Sequence, residues 1–155
     1  MRKSFLLALL VILGGTAYCY SHCQIPCGIY DDNMRIEMIR EHITTIEKSI
    51  SEIKKLQEEK QINYNQLVRW IDNKEKHASE IIEICAEYFI AQRIKITDMK
   101  EKDEYEFYVE ELKLLHKEIV YAMKAKQSVE SDNVKILRMT LDEFEKAYFH
   151  KQEKH

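Results

Sequence analysis

His22, Cys23 and Cys27 fall within one short stretch, HCQIPCGIYD over residues 22–31. If the chain is cut ahead of His22, a free α-amine stands beside an imidazole and two thiols. That amine, the deprotonated amide nitrogen of Cys23 and the thiolates of Cys23 and Cys27 can close a planar four-donor set. Planar nitrogen-rich sites suit nickel(II) or copper(II), and thiolates add soft, polarisable donors. Zinc takes a tetrahedron and usually four side-chain ligands. Three residues separate the cysteines, so the pair does not match a C-x-x-C redox motif.

The residues between and after the cysteines suit a tight wrap. Pro26 is the only proline in the chain, and Gly28 is the only glycine after residue 15. Proline fixes its own φ and lacks an N–H, and an Ile-Pro bond can be cis. Glycine takes positive φ without penalty and lets the loop exit sharply. Tyr30 follows closely enough to bring a phenol to the same place.

The required free amine turns attention upstream. Arg2 and Lys3 precede an unbroken apolar run from Phe5 to Leu13, then Gly14, Gly15, Thr16 and Ala17. A basic start, a short apolar core and small residues near a cleavage point make a secretory signal peptide. The nine apolar residues fall well short of the ~20 that span a bilayer as a helix. Cleavage after Ser21 puts Cys19 and Ser21 at the two positions that favour small side chains. The expected layout is therefore a signal peptide at 1–21, a metal-binding segment at 22–30 and one domain continuing to residue 155. Export places the mature chain in the periplasm or outside the cell, with no membrane attachment after cleavage.

The mature chain would keep 134 residues and a net charge near −5, since the removed segment carries Arg2 and Lys3 and no acid. Charges of both signs alternate and no basic stripe appears, so a nucleic-acid partner is not expected. Three cysteines remain, an odd number that does not make a disulfide framework. Cys85 shares a helix stripe with Ala78, Ile81 and Phe89 and reads as a buried small hydrophobe.

The rest of the chain must hold the segment in place, and it reads as four helices. Ile36, Ile39, Ile43, Ile46, Ile50 and Ile53 recur at alternating spacings of three and four, the mark of a helix face. Asp32 or Asn33 is expected to cap that helix. A second helix runs from about Asn65 to Ile94 with Leu67, Ile71, Ala78, Ile81, Cys85 and Tyr88 on one stripe, and Lys74 in a slot of it. A third carries Tyr105, Tyr108, Leu112, Leu115 and Ile119, and a fourth Val134, Leu137, Leu141, Phe144 and Tyr148. Met34, Met38 and Met123 read as core packing. The polar stretches QEEKQIN, TDMKEKDE and KAKQSVESD separate the helices. The fold class is all-α, an up-down-up-down four-helix bundle over about residues 32–150. The later histidines form no Glu-x-x-His pair, which argues against a di-metal carboxylate centre.

The segment HCQIPCGIYD resembles the nickel-binding hook of the nickel-containing superoxide dismutases, whose mature chains begin H-C-x-x-P-C-G-x-Y. The stretch NQLVRWIDNKEKHASEI…EYFIAQRIK is also similar to that family. The resemblance implies a four-helix bundle with an N-terminal metal-binding hook and one nickel ion per subunit. It implies nickel held by the His22 amine, the Cys23 amide nitrogen and the Cys23 and Cys27 thiolates, with the His22 imidazole joining axially on oxidation. The implied reaction is disproportionation of superoxide to dioxygen and hydrogen peroxide by Ni(II)/Ni(III) cycling, in a homohexamer.

By the same resemblance Tyr30 shapes access to the metal, Glu37 (in Arg35–Glu37) orients the axial histidine, and Tyr88 is a second tyrosine near the site. The chain departs from the family at Gln24, where many members carry an acid. The family's arginine partner has no clear counterpart: counting back from Tyr88 lands on Asn73, with Lys74 next to it. Two other readings stay open on the residues alone. One is a non-enzymatic nickel or copper binder, the other a structural bundle with a Cys23–Cys27 disulfide.

Overall fold

A computed structural model describes residues 28–152. Residues 1–21 and the expected metal donors His22, Cys23 and Cys27 lie outside the described residues. The chain divides into two compact units, Met1–Tyr30 and Asp31–His155. Of the first, only Gly28, Ile29 and Tyr30 are described. Gly28 has φ +79°, the left-handed conformation that glycine adopts freely. Ile29 and Tyr30 are exposed.

The second unit consists of α1 (Asp32–Glu58), α2 (Tyr64–Glu83), α3 (Lys102–Gln127) and α4 (Ser131–Gln152). A π-helical stretch, Ile84–Arg93, continues α2 without a break. No strand occurs among the described residues. Helix α1 packs on α2, α2 on α3, α3 on α4, and α4 closes the ring on α1. This is the expected up-down-up-down bundle. No helix among the described residues is long and apolar enough to cross a membrane.

Burial decides where the helices form. All six isoleucines of α1 are at most 2 % exposed. Isoleucine is a mediocre helix former, costing at most ~0.7 kcal/mol against alanine. Burying each such side chain contributes about 1.5–3 kcal/mol, so packing outweighs propensity at every one. The five apolar residues expected on α4 are all buried as well.

Helix α3 is turned slightly from the expected register. Leu112 and Ile119 are only partly buried, while Glu111, Leu114 and Glu118 occupy the interior beside Leu115. The α3–α4 connection is also shorter than its polar sequence suggested, because buried Ala122 and Ala125 carry the helix on to Gln127. Ile71, expected in the core, is exposed, as are Met34 and Met123.

Helix ends follow their caps, with one shift from expectation. The α1 cap is Asp31, one residue earlier than expected, and its carboxylate accepts from the Met34 amide at 2.9 Å. Asn63 caps α2 by accepting from Gln66 at 3.2 Å. With Asp31 as cap, Asp32 is free to use its carboxylate elsewhere.

Lys74 is buried and donates from Nζ to the carbonyls of Ala125, at 2.8 Å, and Lys126. These belong to the last turn of α3, whose carbonyls have no partner within their own helix. Beside it, Asn73 donates to Ser49 Oγ at 3.0 Å. Ser49 is seventeen residues along α1 from Asp32, about 25 Å at 1.5 Å per residue.

Candidate functional site

At the opposite end of the bundle from Lys74, three side chains converge on one carboxylate. Tyr88 Oη donates to Asp32 Oδ1 at 2.6 Å. Arg93 donates from Nε to Oδ1 at 2.8 Å and from Nη2 to Oδ2 at 2.7 Å. Tyr148 Oη donates to Oδ2 at 2.9 Å. The first turn of α1 is thus tied to the π-helical stretch and to α4.

The π-helix explains how Tyr88 and Arg93 reach the same group. Five residues on an α-helix are about 140° apart around the axis at 3.6 residues per turn. A π-helix bonds i to i+5 and brings such residues to one side. The stretch ends with the same pattern: the Ile94 amide donates to Phe89 O at 2.8 Å.

Burial alone would raise the Asp32 pKa. The hydrogen bonds from Arg93, Tyr88 and Tyr148 outweigh it and hold the carboxyl below its ordinary value. Both phenols move up, first through burial and then because each donates to the carboxylate. They are neutral donors at neutral pH, and Asp32 is the anion. Arg93 moves up as well, chiefly through its bond to Asp32.

Tyr88 is gripped by its ring too. The Arg35 guanidinium lies 5.0 Å from the ring centroid, within cation–π range. On the inner side Phe89 meets Tyr88 edge-on at 5.0 Å. Phe89 meets Phe144 at 5.0 Å and Tyr148 at 5.5 Å, so the phenols rest on an aromatic core.

Of the residues expected at the site, Tyr88 is buried and its hydroxyl is directed at Asp32. Glu37 sits on the exposed side of α1, where its carboxylate pairs with Arg40 at 3.4 Å. Arg40 also bonds Asp142 at 2.6 Å and Glu145 at 2.7 Å, linking α1 to α4. Tyr30 is 40 % exposed. Among the described residues, no group of three or more His, Cys, Asp or Glu side chains is placed to hold a metal ion.

Cys85 is free and buried, as expected, with its thiol pushed up by burial and then by nearby Glu118.

A model of the nickel-containing superoxide dismutases matches residues 17–152. The chain belongs to that family. The match takes in the segment HCQIPCGIY as well as all four helices. The protein is accordingly a superoxide dismutase, an oxidoreductase with nickel as its cofactor. No curated protein and no solved structure gave a significant match.

Sequence reasoning missed three members of the carboxylate cluster. Asp32 was considered only as a cap, Tyr148 only as core, and Arg93 lay unassigned in EYFIAQRIK. The tandem acids Asp31 and Asp32 were a usable signal, since a helix has one N-cap position and the second acid needs another role.

Proposed function

We propose that the mature chain begins at His22 and disproportionates superoxide at a nickel ion held by its first six residues. The residues that would hold it are His22, through its α-amine and imidazole, Cys23, through its amide nitrogen and thiolate, and Cys27, through its thiolate. The observation that carries this reading is the family match, which spans the complete H-C-x-x-P-C-G-x-Y pattern and the bundle behind it.

The donor set fits the metal chemically. Thiolates and an anionic amide nitrogen push electron density onto a metal, which brings a higher oxidation state within reach. Nickel bound there would supply one-electron chemistry between Ni(II) and Ni(III), for a net conversion of two superoxide ions and two protons into dioxygen and hydrogen peroxide. The chain's own task is to present these donors deprotonated, because metal binding displaces their protons. The amine must be free, so removal of residues 1–21 is a condition of activity. Pro26 shortens the loop's choices by fixing φ. Gly28 supplies the positive φ on the exit side, and a side chain there would be strained although the space around it is open. Tyr30 controls approach to the metal, and Glu37 orients the imidazole of His22.

Export to the periplasm or the outside, and assembly as a homohexamer, complete the reading. They rest on the signal-peptide pattern and on the family resemblance respectively. The net charge of the mature chain is negative, so attraction of an anionic substrate has to be local.

Purification of the naturally processed protein tests the proposal. One nickel per chain together with superoxide turnover is expected. Nickel without turnover would indicate a metal-binding protein, and a Cys23–Cys27 disulfide without nickel a structural bundle.

A further inference from the structure

We infer that Met38 is a methionine sulfoxide site: hydrogen peroxide oxidises its sulfur, and the Arg35 guanidinium binds the oxygen that is added. The oxidant is the product that a superoxide dismutase releases. The inference uses none of the residues proposed to hold nickel.

Methionine is an adaptable filler of cores, yet the buried hydrophobic residues described for this bundle include none. Met34, Met99, Met123 and Met139 are exposed, and Met38 is half-buried against the core. Met38 and Met34 line an open groove of about 500 Å³ along α1, together with Glu37, Arg40, Glu41 and Thr44. A molecule as small as peroxide reaches Met38 from that groove without any opening of the bundle.

Arg35 is short of acceptors. Its Nε is buried with no hydrogen-bond partner among the described residues. Its Nη1 donates to Met38 Sδ at 3.7 Å, and a thioether is a weak acceptor. The guanidinium also lies over the Tyr88 ring, 5.0 Å from the centroid, which holds it in place. Hydrogen bonds from an ionised donor are roughly twice as strong as neutral ones, so a better acceptor at this position gains more than it would beside an uncharged group. A sulfoxide oxygen is that acceptor. Because a hydrogen bond to it bends at oxygen, the 3.7 Å N···S separation leaves room for the added atom at an ordinary N···O distance of about 2.7–3.2 Å.

The step balances with peroxide alone. A sulfur lone pair attacks one peroxide oxygen, an S–O bond forms and the O–O bond breaks. The second oxygen takes the proton of the first and leaves as water. Sulfur loses two electrons and peroxide gains them. Sulfoxide formation ordinarily disrupts packing, because a flexible apolar side chain becomes polar and chiral. At Met38 the guanidinium offsets that cost and selects the epimer whose oxygen faces it. Met99, 73 % exposed in the loop ahead of α3, is the unselective reference.

Added hydrogen peroxide tests this on the naturally processed protein, independently of its turnover. Peptide mass mapping gives the extent of oxidation at Met38 and Met99, and the reductases specific for each sulfoxide epimer give the chirality. Melting temperatures before and after oxidation are compared in a chain carrying Met34→Leu, Met99→Leu, Met123→Leu and Met139→Leu, with and without Arg35→Leu. Leucine for methionine is a volume-conserving exchange, and it leaves Met38 as the one thioether past residue 1.

Met38 is expected to be oxidised in the folded protein with a severalfold excess of one epimer, against near-equal epimers at Met99. The melting temperature is expected to hold on oxidation when Arg35 is present and to fall by about 4 °C or more when it is absent. The inference is overturned if Met38 stays reduced while Met99 is fully oxidised, if its two epimers form equally, or if oxidation lowers the melting temperature alike with and without Arg35. Should the Arg35→Leu chain fail to fold, the epimer ratio in the wild-type protein decides.

Discussion

Tyr88 and Arg93, five residues apart, donate to the same oxygen of Asp32 at 2.6 and 2.8 Å. Because Arg93 also reaches the second oxygen, the guanidinium and the carboxylate meet edge to edge. Lysine cannot reproduce that fork. Arg93→Lys is therefore expected to cost about 1.5–3 kcal/mol, the usual worth of hydrogen bonds to a charged group. Urea unfolding measures it, and a loss below about 0.5 kcal/mol, the low end for an ordinary hydrogen bond, would show that the Arg93–Asp32 pair adds little to the fold.

Glu118 gives a second prediction. It is 2 % exposed, and neither carboxylate oxygen has a hydrogen-bond partner among the described residues. Burial pushes its pKa well above the ordinary value, with Lys117 opposing and Asp142 reinforcing the shift. The folded protein thus binds more protons than the unfolded chain between the ordinary carboxyl range and the folded pKa. Stability must fall as pH rises through that window. Glu118→Met, of similar size and apolar, is expected to flatten that dependence and to stabilise the fold by about 1–3 kcal/mol at neutral pH. Thermal melts of both proteins from pH 4 to 9 supply the comparison, and parallel curves would contradict it.

The histidine pair between α1 and α2 predicts the opposite slope. His42 Nδ1 and His77 Nδ1 are 2.8 Å apart, so one proton serves both nitrogens. The His42 pKa is lowered by burial and by His77, against the pull of Glu80 and Glu41. Below about pH 6.5 the unfolded histidine is protonated while the folded one resists, so stability falls as pH drops through that point. His42→Gln should weaken this acid sensitivity. The unfolding midpoint in urea at pH 5 and pH 7.5 reports it, and an unchanged difference between the two pH values would refute it.

Much of this was legible in the residue pattern, for identifiable reasons. The isoleucines of α1 and the apolar residues of α4 follow one helical period without interruption, and burial follows directly. Lys74 stood out as a charge in an apolar stripe, but its role depends on where α3 ends, a tertiary fact. The register of α3 was misjudged because Glu111 and Glu118 are buried against the ordinary preference of carboxylates for water. Asp32 and Arg93 were invisible as partners because an α-helical wheel separates Tyr88 from Arg93. Only the π-helix reunites them. The proposed metal donors His22, Cys23 and Cys27 rest on the sequence pattern, in which proline, glycine, histidine and two cysteines gather in one place, and they lie outside the described residues.

The central claim is that His22 becomes residue one, and intact-mass analysis of the active, naturally processed protein addresses it most directly. The account predicts a chain that starts at His22 and carries one nickel. It also predicts that one added residue ahead of His22 abolishes both native nickel binding and superoxide turnover. An active protein whose mass still includes Ser21 would contradict it.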